Sequence, residues 1–397
     1  GPFKLPKFPN EMYKFLLTSL SLLLLGGCGS TGEPPTSPPQ AGALQSWVLN
    51  GFEKVDSINP ILAPRPEQTF LCPVAGREVR WEERNVLNPA AVVKDGKVHL
   101  FYRAQDETGT SRIGLAVSAD GLHFQKETAP VLYPAEDDMK VYEWNYRKGE
   151  GKPTLPECPT CFFDGVEDPR IVEREDGLYV MAYTSYDGKT ARLSLASSAD
   201  LRTWTKHGLV LRDEEFSDYW SKSGAIVAET VGNRQVARKI DGKYWMYFGD
   251  TDLFLATSDD LIRWEPCRSA ESGKLISVLH PRPGYFDSRL VEPGPYALLR
   301  PEGIVLIYNG SNAANFSDPA LPKFTYAAGQ ALFDREAPYR QIDRTQSYFI
   351  HPDKDYEKVG EVNEVCFVEG LVRFQDQWFL YYGTADSKIA VAVSAEE

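Results

Sequence analysis

Five short runs of the chain each place polar or charged side chains directly before a strand-like apolar segment. They are Asn88 in "VLNPAAVV", Glu167 and Asp168 in "GVEDPRIV", Lys222 in "KSGAIVAE", Glu292 in "LVEPGPYALL" and Glu369 in "FVEGLVRF". Carboxylates held close together raise the pKa of at least one of them, and a raised carboxyl group can donate a proton to a glycosidic leaving oxygen. A single acidic turn such as Asp168-Pro169 is more commonly an ion pair or a capped turn, so the repetition carries the argument.

A repeated unit indicates how these runs are positioned. In each copy, a turn with Asp-Gly or an equivalent leads into an apolar strand, and a second strand then ends in a Ser-Ala-Asp type of turn. The first copy reads "DGKVHLFYRA" and "IGLAVSADGLHF", and the last reads "FQDQWFLYYGTADS" and "IAVAVSAEE". The equivalent alanines of the five copies are Ala116, Ala196, Ala256, Ala331 and Ala392, at intervals of 80, 60, 75 and 61 residues.

The repeat predicts an all-β protein folded as a five-bladed β-propeller. Each unit is too small to bury the face of a sheet alone, and helical periodicity is nearly absent. Two β-sandwiches are the alternative, but they do not explain five copies. Because the innermost strands of a propeller begin around a central channel, we expect the polar groups of the five runs to converge there.

The overall composition excludes some partners. The 397 residues are 42% hydrophobic and carry a formal net charge of -13. Without a basic stripe, neither a nucleic acid nor an anionic membrane surface is an expected partner, whereas a neutral oligosaccharide fits. No residue spacing indicates a metal site or another cofactor, and the sequence does not reveal the oligomeric state.

The first residues have the pattern of an export signal. From Met12 the chain reads "MYKFLLTSLSLLLLGGCGS", an apolar stretch that is too short to span a bilayer. Its ending "LGGC" resembles a bacterial lipobox, which predicts acylation of Cys28; the alternative is an ordinary signal cleaved nearby.

This pattern divides the chain into three parts. Residues 1–27 are a signal peptide with upstream residues, residues 28–45 a lipid-anchored flexible tether, and residues 46–397 a catalytic propeller. The predicted product is an exported bacterial lipoprotein, in the periplasm or on the outer-membrane surface, which contacts the membrane only through its lipid.

Two of the five cysteines after Cys28 form the pattern "CPTC" at Cys158 and Cys161. The spacing fits a short-loop disulfide, half of a metal site or a redox pair. Because no second such pair and no histidine cluster completes a zinc site, we favour a disulfide or free thiols. The odd count leaves at least one thiol unpaired.

From about Asn85 to its end, the chain resembles glycoside hydrolase family 130, whose members are five-bladed propellers that act on β-mannosides. The matching stretches are "NPAAVVKDGKVHLFYRA", "EDPRI", "FDSRLVEPGP", "GIVLIYNG" and "YYGTADSKIAVA". The resemblance implies that Asp168 is the general acid, relaying its proton through the mannose 3-hydroxyl. It also implies that Asn88, Arg103 and Asp386 hold the mannosyl ring on the non-reducing side of the cleaved bond. The further substrate-binding candidates are Glu167, Lys222, Asp287, Glu369 and Tyr382.

The chain departs from the family pattern where phosphorylases bind phosphate. Their "HRP" and "YHG" elements are replaced here by "YFGD", with Gly249 and Asp250, and by "YNG", with Asn309. A glycine-rich stretch is replaced by "VEPGP", which brings Glu292 to the vacated pocket. Acids in place of cations repel phosphate and can activate water, so we expect an inverting hydrolase of β-mannosides, with β-1,2 linkages favoured.

In this interpretation Asp168 is the acid, and Glu292 or Asp250 activates the water. Two readings stay open beside it. Lys222 and Arg282 are cations that could still bind phosphate, which would make the protein a phosphorylase that releases mannose 1-phosphate. A propeller that binds surface glycans without cleaving them is the third possibility, although it leaves the intact "EDPR" unexplained.

Overall fold

The computed structural model describes residues 45–149, 158 and 160–397. Cys28, the predicted signal peptide and nearly all of the predicted tether lie outside the described residues. The described part is built almost entirely of strands, which confirms the predicted all-β class. None of its helices has the length and apolar character needed to cross a membrane.

Antiparallel pairings group most strands into five sets, which we number as blades 1 to 5 in chain order, and parallel pairings link blade 1 to blade 2, blade 2 to blade 3 and blade 3 to blade 4. Blade 1 contains β4 (Asn85–Lys94), β5 (Lys97–Gln105), β6 (Thr110–Ser118) and β7 (Gln125–Lys126), and blade 2 contains β8 (Asp164–Glu173), β9 (Tyr179–Tyr186), β10 (Ala191–Ser198) and β11 (Thr205–Leu209). Blade 3 contains β12 (Ala225–Val231), β13 (Arg234–Ala237), β14 (Tyr244–Phe248), β15 (Phe254–Ser258) and β16 (Trp264–Pro266). Blade 4 contains β17 (Leu290–Pro293), β18 (Ala297–Arg300), β19 (Gly303–Ser311), β20 (Tyr326–Phe333) and β21 (Gln341–Arg344), and blade 5 contains β22 (Cys366–Phe374), β23 (Gln377–Thr384), β24 (Lys388–Ser394) and β1 (Glu53–Lys54).

Blade 5 combines strands from both ends of the described chain. Glu53 and Lys54 of β1 pair with Val393 and Ala392 of β24. The remaining elements lie outside the blades: β2 (Phe70–Cys72), β3 (Arg77–Val79), the helices α1 (Lys140–Glu143) and α2 (Asp355–Lys358), and 3-10 turns at Tyr146–Gly149 and Glu214–Phe216.

The five alanines that mark the repeat occupy one position in β6, β10, β15, β20 and β24. Each of these is the third strand when the sheet is counted across from β4, β8, β12, β17 or β22. Ala116, Ala196, Ala256, Ala331 and Ala392 are all fully buried, and they pair with Leu100, Met181, Met246, Leu306 and Leu380 of the second strands. A small side chain at this position lets neighbouring sheets pack closely. The repeat in the sequence is therefore a repeat in packing.

The recurring turn residues have local physical causes. Asp95 and Gly96 join β4 to β5 with φ values of 54° and 70°, the left-handed pair of a type I′ hairpin turn. At the other end of the blade, Ser118 Oγ accepts a 2.9 Å hydrogen bond from the N–H of Gly121, and Asp120 Oδ1 accepts one from the N–H of His123. Equivalent Ser-x-Asp turns end the third strands of blades 2 and 3.

The innermost strands are bulged where the polar runs begin. A register shift in β4 and one in β8 leave Asn88 and Asp168 as extra residues, with φ values of 45° and 49°. In blade 3 the residue with the corresponding backbone, φ 60°, is Ser223. Ser223 is thus the backbone equivalent of Asn88 and Asp168, and Lys222 precedes Ser223 as Glu167 precedes Asp168.

A hairpin formed by β12 and β13 reaches across to other blades. Val236 of β13 pairs with Glu173 of blade 2, and the buried Gln235 Nε2 donates to the carbonyl oxygens of Ala91 at 2.7 Å and Ile171 at 2.9 Å. Ala91 and Ile171 each lie one residue beyond the bulge of their strand, on its C-terminal side.

Candidate active site

The starts of the inner strands border a cavity of about 320 Å³. Its lining includes Arg103, Glu167, Tyr186, Trp220, Lys222 and Asp386, from blades 1, 2, 3 and 5. Of the polar groups predicted to converge, Glu167 and Lys222 line the cavity, whereas Asp168 and Glu292 do not but lie 3.9 Å from Lys222 Nζ.

Asp168 is buried among cationic and amide groups. Its Oδ1 accepts hydrogen bonds from Asn88 Nδ2 at 3.0 Å and from Arg103 Nη1 at 3.4 Å, and Arg103 Nη2 donates to Glu167 Oε1 at 3.0 Å. Burial by itself raises the pKa of Asp168, but Arg103, Lys222 and Asn88 outweigh it, and the pKa lies below its usual value. The Asp168 carboxylate is therefore ionised at neutral pH in the empty site.

Lys222 lies between two carboxylates. Its Nζ is 3.9 Å from Asp168 Oδ2 and 3.9 Å from Glu292 Oε1, so the two oxygens are separated by at most twice that distance. In an inverting glycosidase the two carboxyl groups lie about 6.5–9.5 Å apart, which leaves room for a water molecule, and only the lower part of that range lies below this limit.

Glu292 is held by the residue that follows Lys222. Ser223 Oγ donates a 2.5 Å hydrogen bond to Glu292 Oε1. Burial raises the pKa of Glu292 to about 7, Lys222 and Ser223 lower it, and the charge of Asp250 raises it. Glu292 thus holds a proton for part of the time at neutral pH, whereas Asp168 does not.

Asp250 is partly exposed and has a single side-chain donor among the described residues. Trp220 Nε1 donates to Asp250 Oδ2 at 2.8 Å, and the Trp220 ring meets Tyr186 edge to face, with centroids 6.1 Å apart. Trp220 and Tyr186 both line the cavity. The acid is therefore tied to the aromatic wall of the site.

Three further carboxyl groups sit around Asp168. Burial raises the pKa of Asp386 to about 6, and it also raises the pKa of Glu167, in both cases against the influence of Arg103. Burial raises the pKa of Glu369 well above its usual value. Arg170 Nη1 is 3.3 Å from Glu369 Oε1, yet neither oxygen of Glu369 accepts an aligned hydrogen bond from the described residues. Among the described residues, Glu369 thus has Arg170 as its ion-pair partner and makes no aligned side-chain hydrogen bond.

Comparison with known proteins agrees with this geometry. A family model described as beta-1,4-mannooligosaccharide phosphorylase matches residues 56–397. The chain belongs to glycoside hydrolase family 130. The family's enzymes act on mannosides, and its members are five-bladed propellers.

Relatives within family 130 include both reaction types. The 1,2-beta-oligomannan phosphorylase of Thermoanaerobacter sp. is 30% identical over 85% of this chain and 95% of that protein. A putative glycoside hydrolase from Parabacteroides distasonis is 43% identical, with a TM-score of 0.81 over 88% of this chain and 98% of that one. A structure from work on family 130 hydrolases that target β-1,2 mannosidic linkages in Candida mannan is 43% identical, with a TM-score of 0.82 over 88% of this chain and 95% of that one.

The positions at which family 130 phosphorylases were expected to bind phosphate have other partners here. Asn309 is fully buried, and its side-chain amide exchanges hydrogen bonds with the backbone of Val368, at 2.9 and 2.8 Å. Arg282 makes two hydrogen bonds to Asp287, at 3.1 and 2.8 Å, and a third to the carbonyl oxygen of Thr345. The side chains of Asn309 and Arg282 thus make hydrogen bonds that hold parts of the fold together.

Four of the predicted substrate-binding residues do not line the cavity. Asn88 and Glu369 are buried beside Asp168 and Arg170, and the other two are Asp287 and Tyr382. Asp287 Oδ2 accepts hydrogen bonds from Arg282, Arg344 and Tyr308, at 2.8, 2.7 and 2.7 Å. The buried hydroxyl of Tyr382 donates to Glu357 Oε2 at 2.8 Å. Both side chains are occupied by structural contacts.

Sequence reasoning did not assign a role in this family 130 site to Ser223, Tyr186 or Tyr326. Burial, followed by the charges of Glu167 and Asp187, raises the pKa of Tyr186 to about 12. Burial and then Glu292 also raise the pKa of Tyr326, which places its hydroxyl near the acids. A usable signal existed only for Ser223, because its position in "KSG" matches the residue before proline in "LNP" and "EDP".

The two cysteines of the "CPTC" pattern form a disulfide, Cys158–Cys161, as one of the two favoured readings predicted. Arg84 Nη1 lies 3.0 Å from Cys161 Sγ, and Arg84 also pairs with Glu361, which lines the cavity. Cys72, Cys267 and Cys366 carry free thiols. No cluster of metal-ligating side chains occurs within the described ranges.

Proposed function

We propose that this protein hydrolyses β-mannosidic linkages, with β-1,2-mannosides as its preferred substrates, by an inverting mechanism. The observation that carries the proposal is that Lys222 Nζ lies 3.9 Å from a carboxylate oxygen of Asp168 and 3.9 Å from one of Glu292, which brings two acids to one site. Phosphate would have to bind between these acids and Asp250, where like charge repels it. The 43% identity to a structure from work on β-1,2-mannoside hydrolases supports the linkage and the reaction.

The number of protons that Asp168 and Glu292 hold together at neutral pH fits hydrolysis. Inversion requires one protonated acid and one ionised base, which is one proton shared between Asp168 and Glu292. In the empty site that proton belongs to Glu292, whose pKa is about 7, because Asp168 is stabilised as an anion. The reactive arrangement, with the proton on Asp168, is then a minor form of the same protonation state.

We assign the roles as follows. Asp168 donates the proton towards the leaving oxygen, through the mannose 3-hydroxyl as in the family. Glu292 takes a proton from water, and Asp250, tied to Trp220, orients that water or replaces Glu292 as base. Lys222 stays cationic between the two acids because Glu292 and Asp168 raise its pKa more than burial lowers it. Substrate that displaces Arg103 or Asn88 from Asp168 would raise the pKa of Asp168 and favour the reactive form.

The remaining assignments concern substrate binding. Arg103, Asp386 and Glu167 line the cavity, and Asn88 is bonded to Asp168, so these four are proposed to hold the mannosyl ring. Glu369 supports them through Arg170, which pairs with Glu369 and donates to the carbonyl oxygen of Asp168. No cofactor is needed for this chemistry, since two carboxyl groups suffice.

One experiment separates hydrolysis from phosphorolysis. The purified protein is incubated with β-1,2-mannobiose, with and without inorganic phosphate, and the products are identified. We expect mannose at the same rate in both. Mannose 1-phosphate that forms only when phosphate is present would instead support a phosphorylase, the activity named for the 30% identical relative. Tight binding without any cleavage would support the glycan-binding alternative.

The proposed location rests on the sequence alone. We propose that Cys28 is acylated and that the enzyme is anchored by this lipid in the periplasm or on the outer-membrane surface. Cells that express the protein are grown with a radiolabelled fatty acid, and the protein is then isolated. Label on the parent protein that is absent from Cys28→Ser would support this proposal, and an unlabelled parent protein would contradict it.

A further inference from the structure

The turn of residues 312–325 in blade 4, here called the blade-4 turn, is unusual for its length. It joins β19 to β20 and has 14 residues. The corresponding turns of the other blades have three to five residues, and they carry Asp386 in blade 5 and Asp250 in blade 3. The blade-4 turn therefore rises from the same end of the propeller as the candidate active site.

The blade-4 turn presents aromatic side chains to solvent. Phe316 is 85% exposed and Phe324 is 39% exposed, and both have positive φ values, 53° and 67°. Left-handed backbone is uncommon for a bulky residue, so two instances in one turn mark a constrained conformation. Neither ring is directed into the core, where a phenylalanine normally lies.

The turn is held rigid by one buried side chain. Asn312 Nδ2 donates to the carbonyl oxygens of Asp318, Leu321 and Pro322, at 3.0, 3.1 and 3.2 Å, and its Oδ1 accepts from the N–H of Asp318 at 2.9 Å. Its backbone also exchanges hydrogen bonds with Thr325 and Phe324. The exposed rings are thus displayed by a fixed scaffold.

Neighbouring residues extend this surface and link it to the site. The carbonyl oxygen of Phe316 accepts a 2.6 Å hydrogen bond from the N–H of Gly284, beside the 37% exposed Tyr285. The Arg289 guanidinium lies 5.0 Å from the centre of the Phe324 ring. The residue after Arg289 begins β17 (Leu290–Pro293), the short strand that carries Glu292.

We propose that the blade-4 turn, with Tyr285 and Arg289, is a binding surface for sugar units of the substrate that extend beyond the cavity. Pyranose rings present apolar C–H faces that pack on aromatic rings, and their hydroxyls accept hydrogen bonds from guanidinium groups. The surface combines both and is continuous with the acids. This inference rests on the proposed function, and it makes longer β-mannooligosaccharides better substrates than the disaccharide.

Kinetics of Phe316 variants test the inference. For the parent enzyme we expect a higher kcat/KM on β-1,2-mannotetraose than on β-1,2-mannobiose. In Phe316→Ala the value for the tetrasaccharide should fall about threefold to tenfold, and the value for the disaccharide should stay the same. Phe316→Trp should retain the preference. Tyr339→Ala removes a 60% exposed ring from the turn at the opposite end of the same blade and should change neither value.

Other outcomes would overturn the inference. Equal efficiencies of the parent on both substrates, or an equal fall on both in Phe316→Ala, would contradict it. So would a change from dimer to monomer in Phe316→Ala, because the surface would then contact a second copy. If neither substrate is cleaved, the proposed function fails, and calorimetric titration with the tetrasaccharide still decides: equal affinities of parent and Phe316→Ala reject the binding surface.

Discussion

The hydroxyl of Ser223 donates a 2.5 Å hydrogen bond to Glu292 Oε1, and this bond lowers the pKa of a carboxyl group that burial has raised to about 7. The proposed mechanism needs one proton on the pair formed by Asp168 and Glu292. That proton is lost as the pH rises through about 7, the pKa of Glu292. We therefore expect kcat/KM for β-1,2-mannobiose to fall above a pH of about 7, whichever acid donates the proton.

Ser223→Ala should shift this alkaline limb to higher pH. Removing the donor destabilises the Glu292 anion, so the proton is held to a higher pH. The pH dependence of kcat/KM measures the shift. Ser221→Ala is the matched control, since the Ser221 hydroxyl accepts from the N–H of Leu193 and has no contact with Glu292. If the alkaline limb is unchanged in Ser223→Ala, Glu292 is not the group whose loss of a proton causes the fall in kcat/KM.

Asp250→Asn should move the same limb in the opposite direction. The negative charge of Asp250 raises the pKa of Glu292, so neutralising it lowers that pKa and brings the fall in kcat/KM to lower pH.

Trp220→Phe keeps a ring in the cavity wall but removes the donor to Asp250. If Asp250 orients water, Trp220→Phe lowers kcat with little change in KM. A rise in KM alone would mean that Trp220 only contacts the sugar.

A substrate with a good leaving group distinguishes the proton donor from the base. On β-1,2-mannobiose, Asp168→Asn and Glu292→Gln should each reduce kcat about 10²–10⁴-fold. A 2,4-dinitrophenyl β-mannoside needs no proton on its leaving oxygen, so Asp168→Asn should recover most of its rate while Glu292→Gln does not. Recovery in Glu292→Gln instead would reverse the two roles. Circular dichroism of both variants checks that they are folded.

The fold and part of the site were readable from the sequence because they repeat. The alanine of each third strand and the Ser-x-Asp turns recur in the chain, and they mark the same packing position and the same backbone hydrogen bonds. Asp168 and Glu292 stand out in the sequence because each precedes an innermost strand-like run. Asp287 and Tyr382 were predicted as ligands, but they make structural hydrogen bonds, since chain neighbours of a site can point to either side of a strand. Lys222 was singled out before its neighbour Ser223 because a bulge is set by backbone φ, which the sequence letters do not report.

Arg170 should matter for stability more than for chemistry. Its buried guanidinium donates to the carbonyl oxygens of Gly294 and Pro293, both at 2.6 Å, and of Asp168 at 3.1 Å, which joins blade 2 to blade 4. Arg170→Leu leaves these buried acceptors without donors and should lower the free energy of unfolding by about 3–5 kcal/mol. Urea denaturation measures this loss.

The matched control for Arg170→Leu lies at the end of the same strand. Arg174 pairs with the exposed Asp176 at 2.7 Å, and solvent screens that pair, so Arg174→Leu should leave the urea midpoint nearly unchanged. Equal midpoints for Arg170→Leu and the parent would show that the three carbonyl contacts add little to stability. In that case Arg170 would act mainly on the charge of Glu292, whose pKa it lowers, and the alkaline limb of kcat/KM, rather than the midpoint, would move to higher pH in Arg170→Leu.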